Sequence, residues 1–278
     1  LPPGDGQPAP GYGAPVPAPQ TLPPQAHVPQ AAAPARQTLG LTRARALGFL
    51  LFAAVVVVSP LFLYTIFLMK LYCFIIFACG YNLLLGYTGL MSFGHAALMG
   101  VGAYVTAKLL IADDWPFPVI MVFAVVGATL VGTLVGLTSW RVGGDYLALV
   151  TLGAGQIFYL FVNNTDALGG ATGLPGIPIA SVAGWQVRDV QDVYLLCLVV
   201  LIAVTLVART LGNSSFGRAL LAIREDEIVA KAHGVNVPLT KVIVFAVGSG
   251  IAGLAGALHT VMLGFVGPGS FEIDASIL

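Results

Sequence analysis

From Leu71 to Ala107 the chain runs thirty-seven residues without one Asp, Glu, Lys or Arg. A helix crossing a bilayer needs about 20 apolar residues, so the run is too long for one crossing and barely enough for two. Gly86, Gly89 and Gly94 fall where the turn must lie. Irregular backbone at membrane depth is tolerated only where protein or a polar cavity satisfies it. The stretch Gly86 to His95, within GYNLLLGYTGLMSFGHAALMGVGAY, is therefore expected to be a broken-helix segment lining a pathway through a membrane. Its candidate pathway residues are Asn82, Gly86, Gly89, Ser92, Gly94 and His95.

The rest of the 278 residues fits that setting, with 58% hydrophobic and 9% charged. Soluble domains carry about 25% charged residues, so the fold class is all-α, a polytopic transmembrane helical bundle. A net charge of zero gives no pull towards nucleic acid. Cys73, Cys79 and Cys197 lie in apolar runs and read as small buried hydrophobes. Residues 1 to about 35 hold eleven of the eighteen prolines and almost no charge. Residues 1–40 are expected to be a disordered Pro/Ala-rich cytoplasmic tail, with a proline-rich docking ligand as the alternative. Residues 41–278 then form the membrane domain.

About seven spans are expected: Ala46 to Met69, Leu71 to Leu85, Met91 to Ile111, Phe117 to Ser139, Tyr146 to Val162, Val193 to Ala208 and Val242 to Val266. Basic residues accumulate on the cytoplasmic side of a membrane. With the N-terminus inside and two crossings between Leu71 and Ile111, nine fall inside: Arg36, Arg43, Arg45, Arg141, Arg209, Arg218, Arg224, Lys231 and Lys241. Lys70, Lys108 and Arg188 fall outside. A single crossing there reverses the bias to five against seven, so two crossings are expected. The loop 209–238 is then cytoplasmic and the loop 163–192 external.

No Asp or Glu falls inside an expected span, which argues against a proton relay. The intramembrane titratable residues are His95 and His259. His95 reads either as a neutral imidazole bonded to carbonyls freed by the break or as a substrate contact, and His259 as packing. Small residues at four-residue spacing point to close helix packing: Gly248, Ala252, Gly256; Ser249, Gly253, Ala257; Ala128, Gly132, Gly136; and Ser92, Ala96, Gly100. No metal-ligand cluster, nucleophile motif or Gly-rich phosphate loop is found, so an enzyme is not expected and any nucleotide site belongs to another polypeptide.

The cytoplasmic loop reads as a helix capped by Ser214 or Ser215 and closed at Gly234. Phe216, Leu220 and Ile223 give it an apolar edge suited to a partner, and Arg224, Glu225, Asp226 and Glu227 keep it out of lipid. In the external loop, Gly169, Gly170, Thr172 and Gly173 open a tight irregular path that is either a pathway cap, a docking point or a plain turn.

GYNLLLGYTGLMSFGHAALMGVGAY, GGDYLALVTLGAGQIFYLFVNN, GGATGLPGIP and SSFGRALLAIREDEIVAKAHGVNVPLTKVIVFAVGSGIAGLAGAL together resemble the branched-chain amino acid ABC transporter permeases, nearest the LivM type. The resemblance runs from about Leu71 to Leu278 and excludes the proline-rich tail. It implies a permease subunit of an ATP-driven importer for leucine, isoleucine and valine in a bacterial inner membrane. Partners implied are a second, LivH-type permease, two cytoplasmic ATP-binding subunits and an external substrate-binding protein. No cofactor is implied, and members continue past the equivalent of Leu278. The loop from Phe216 to Pro238 resembles the family's coupling loop, which assigns Phe216, Gly217, Arg218, Leu220, Ile223, Arg224, Glu225, Glu227 and Gly234 to ATPase contact. Importers of urea or short amides share these motifs, and a passive channel is the alternative of another class.

Overall fold

Two helices come out of the uncharged run, joined by a short irregular link. α1 spans Thr65–Asn82 and widens into a π turn, Leu83–Tyr87; α2 spans His95–Ala112. In the computed structural model the described residues are 64–271, apart from 113–114, 139, 141, 143–144, 179–180, 183–184 and 187–188. The tail 1–40 and most of the expected Ala46 to Met69 span lie outside them.

α3 (Phe117–Thr138), α4 (Asp145–Asn163) and α5 (Val190–Asn213) follow. The loop helices α6 (Ser215–Glu225) and α7 (Glu227–Ala232) lead to α8 (Val237–Leu263). Six helices among the described residues are long and apolar enough to cross a membrane: α1 with its π turn, α2, α3, α4, α5 and α8. The chain is a multi-pass membrane protein.

Local chemistry sets the ends of α8. The Asn236 side chain accepts from the Leu239 N–H, Pro238 fills the first turn, and Gly264 at φ 62° closes the helix.

Two span boundaries differ from expectation. Lys70 does not separate two spans: α1 runs straight through it, and its ammonium lies 6.0 Å from the Phe74 ring centroid. A lysine near a helix end can run its aliphatic stem along apolar surface and keep its head in water, so one cation need not end a helix. The helices also outrun the apolar stretches, so Asp192 and Arg209 fall inside α5 near its ends and Asp145 begins α4.

α8 is the hub, and the small-residue rows are where its neighbours touch it. A Cβ on Gly80 of α1 would lie 2.7 Å from the Gly248 carbonyl oxygen. One on Gly256 would lie 2.9 Å from the Ala103 nitrogen of α2, and one on Gly253 would lie 2.9 Å from the Ala124 carbonyl of α3. Backbones this close need glycine on one side, which is how lipid-embedded helices gain packing energy. α1 meets α5 through Tyr72 and Tyr194, whose hydroxyls are 3.0 Å apart.

Among the described residues there are four two-residue strands: β1 (Leu174–Pro175), β2 (Ser181–Val182), β3 (Trp185–Gln186) and β4 (Phe265–Val266). β1 pairs antiparallel with β4, Leu174 opposite Val266, and β2 pairs with β3. The loop between α4 and α5 is thereby clasped to the segment that follows α8.

Candidate functional site

α8 has 27 residues and is therefore about 40 Å long, which separates two groups of candidate residues. The β1–β4 clasp lies at its C-terminal end and the α6–α7 loop at its N-terminal end. Asn82, Gly86 and Gly89 cluster with the loop, whereas Gly169, Gly170, Thr172 and Gly173 lie with the clasp. The two sets are not one site.

The break is built residue by residue. The π turn ends at Thr88, whose hydroxyl donates to the Leu83 carbonyl at 2.9 Å. Gly89 then adopts φ 72°, a left-handed conformation, and its N–H donates to the Leu85 carbonyl at 3.1 Å. The Leu90 N–H donates in turn to the Leu84 carbonyl at 3.0 Å, so a left-handed glycine and two main-chain bonds close the turn. Gly86 is packed against Asn82, whose side-chain oxygen would collide with a Cβ there. The Gly86 carbonyl, left without a helical donor, accepts from Arg224 Nη1 at 2.6 Å. The bond is charge-assisted, and the guanidinium holds the carbonyl in a fixed direction.

The link then re-enters the bundle. The Phe93 N–H donates to Thr151 Oγ1 of α4 at 3.1 Å, and Gly94 lets α4 come close, with a Cβ there 3.4 Å from the Gly155 nitrogen. Ser92 and Gly94 help line a small cavity of about 30 Å³ between α2, α3 and α4, whose other walls include Val131, Thr151 and Phe158. The Ser92 hydroxyl is buried without a hydrogen-bond partner among the described residues.

His95 opens α2 and is fully buried between two spans. The rings of Phe77 and Tyr81, one turn apart on α1, have centroids 5.2 and 5.5 Å from it. A Cβ on Gly248 would lie 3.7 Å from its Cε1. Gly248 is eleven residues into α8, so His95 sits about 16 Å along that helix from its start. Neither ring nitrogen has a hydrogen-bond partner among the described residues. The imidazole is thus not spent on carbonyls freed by the break, and one of the two sequence readings falls away. His259 packs its ring 6.2 Å from Phe271, as packing predicts.

The loop differs from expectation in two respects. It is two helices rather than one: Ser214 caps α6 by accepting from the Gly217 N–H, and Asp226 breaks the chain and caps α7 by accepting from Ile228 and Val229. Gly234, at φ 85°, follows the end of α7 as expected. The edge Phe216, Leu220, Ile223 faces this chain, with Leu220 and Ile223 buried and Phe216 packed on the core. Three- and four-residue spacing reveals an apolar face but not whose surface covers it. The outward apolar residues are Leu221, Val229 and Ile228, the last 81% exposed. Glu227 forms an ion pair with Lys241 in the second turn of α8. Sequence reasoning missed the Arg224–Gly86 and Glu227–Lys241 contacts and the aromatic pair around His95. Of these only the last leaves a local trace, Phe77 and Tyr81 at four-residue spacing.

Residues 63–278 match the family described as branched-chain amino acid transport system / permease component. The chain is similar to the high-affinity branched-chain amino acid transport system permease protein LivM of Escherichia coli, 33% identical over 73% of this chain and 53% of that protein. The Salmonella typhimurium protein of the same name is 32% identical over the same shares. A probable branched-chain amino acid transport permease protein LivM of Methanocaldococcus jannaschii is 26% identical over 64% of this chain and 61% of its own length. The chain thus spans about half the length of the bacterial relatives. No solved structure matches.

Proposed function

We propose, from the premise that this chain belongs to the branched-chain amino acid transport system permease family, that it is the permease subunit of an ATP-driven importer for leucine, isoleucine and valine. Substrate arrives from an external binding protein at the loop 163–192 and leaves into the cytoplasm by alternating access. A LivH-type permease and two cytoplasmic ATP-binding subunits complete the assembly in a bacterial inner membrane. Residues 41–278 act as one permease domain, with the N-terminus cytoplasmic.

The observation that carries this reading is the α6–α7 loop. It stands at one end of the bundle, is fastened to α1 through Arg224 and to α8 through Glu227, and presents Ile228 and Val229 outward. A passive channel needs no such lever. The charge bias supports the orientation: Arg209, Arg218, Arg224, Lys231 and Lys241 gather at the loop end, and Lys70 and Lys108 towards the other. His95 and the N-terminal end of α2 supply polarity without a charged side chain, a chemistry suited to a zwitterion. Asn82, Gly86, Gly89, Ser92, Gly94 and His95 shape the inner part of the pathway, and Gly169, Gly170, Thr172 and Gly173 its outer mouth.

The test is uptake of labelled leucine by cells that lack other leucine importers and express this permease with its partner subunits. Uptake that depends on the ATP-binding subunits and is competed by isoleucine and valine supports the reading. Uptake without those subunits, or competition by urea alone, overturns it.

A further inference from the structure

Arg224 stands in a run of four charges, yet it pairs with none of them. The one ion pair among the described residues joins Glu227 to Lys241, while Arg224 Nη1 reaches the Gly86 carbonyl, 138 residues earlier. The stem of Arg224 lies over Gly89, where a Cβ would be 3.3 Å from its Cγ. Next to Gly86, Tyr87 packs against Gly212 in the last turn of α5, so closely that a Cβ on Gly212 would collide with its hydroxyl. The receiving carbonyl belongs to a π turn, a geometry that is rare in helices and concentrates at functional positions. From Gly89 the chain runs through Ser92 and Gly94 to His95, buried against Phe77 and Tyr81 of α1.

The geometry makes Arg224 a connecting rod. Its helix, α6, is bounded by two caps, Ser214 and Asp226. One end of the rod is on that helix, the other on the last turn of α1, where the span gives way to the break. A water or a local Ser hydroxyl would satisfy the Gly86 carbonyl equally well. A donor on a separate helix does more, because it makes the position of the break depend on the position of the loop.

We infer that Arg224 is the positioning residue that passes movement of the α6–α7 loop to the Gly86–His95 break, acting through the Gly86 carbonyl rather than by contact with an ATP-binding subunit. The inference rests on the proposed reading of the loop as the ATPase-coupling element. It assigns Arg224 an inward role, distinct from the outward apolar residues Leu221, Ile228 and Val229.

The test reads the break directly. Met91 lies in the break and is 47% exposed, while the native cysteines Cys73 and Cys197 are buried and Cys79 is half-buried. The permease carrying Met91→Cys is assembled with its partner subunits in nanodiscs, and alkylation by a charged maleimide is timed with and without ATP plus vanadate. The nucleotide is expected to change the alkylation rate by about tenfold, the scale of one charge-assisted hydrogen bond, and Arg224→Gln to abolish that change. Arg224→Lys, which keeps a cationic donor, restores part of it. Should Arg224→Gln fail to accumulate, Arg224→Met, which keeps an aliphatic stem over Gly89 but carries no donor, is expected to give the same loss. A nucleotide response that persists in Arg224→Gln or Arg224→Met overturns the role of Arg224 alone. A response absent already in the Met91→Cys parent overturns the ATP-driven reading, and this inference with it.

Discussion

α8 and α4 are written in nearly the same alphabet, yet one is the hub of the bundle and the other its rim. In the most apolar stretch of α8, 72% of residues are buried; in that of α4, 22%. Both carry glycines. Those of α8 each meet a neighbour: Gly248 faces Gly80 and Leu84, Gly250 faces Thr129, Gly253 faces Ala124 and Ala128, and Gly256 faces Met99 and Ala103. Gly153 of α4 has nothing within 4 Å, and large side chains around it, such as Ile157 at 70% exposure, stand clear of the bundle. Lipid tails are as apolar as leucine, so burying apolar area does not draw spans together; close backbone approach does. The hub is marked by side chains that are missing.

The largest test of that contrast is Gly256→Leu. The new side chain meets the Met99 and Ala103 backbone, which cannot swing aside, so overpacking costs about 3 kcal/mol or more. Loss of monodisperse protein in detergent gel filtration is expected. Leu258→Ala comes next: the residue is fully buried, and the cavity left behind costs about 2 kcal/mol even though lipid blunts the transfer component. Thermal unfolding in detergent measures it. Thr260→Val removes a hydroxyl that donates to the Ala103 and Gly256 carbonyls, at 3.2 and 2.9 Å, and is expected to cost about 0.6 kcal/mol by the same assay. Gly153→Ala should fall within about 0.5 kcal/mol of no change, with better helix propensity pulling towards stability. A Gly153→Ala variant as damaged as Gly256→Leu would break the comparison.

The spans were legible because membranes punish charge and irregular backbone, so an uncharged run interrupted by glycine allows few outcomes. The rows Gly248–Gly256 and Ala128–Gly136 were legible for a related reason: a missing Cβ is visible in a sequence, and close approach is what it permits. What the sequence withheld were contacts without local pattern. Nothing within a few residues of Arg224 says that its partner is the Gly86 carbonyl, and the same spacing that revealed the Phe216, Leu220, Ile223 edge was silent on which surface it faces. Lys70 misled because a charge was given the weight of a boundary, although a lysine stem near a helix end can be accommodated. At His95 the sequence left two roles open, and only the absence of a partner on both ring nitrogens narrowed them.

The pairing of β1 with β4 joins two distant turns through main-chain groups, and such groups do not read side-chain identity. Pro175 and Phe265, both exposed, can therefore drift to almost anything compatible with a strand, while Gly173 and Gly264 are held to positive φ, at 72° and 62°. That end of the bundle is a seam whose stitches stay fixed while the cloth between them changes. Descendants of this chain could retailor that face without loosening the bundle beneath it.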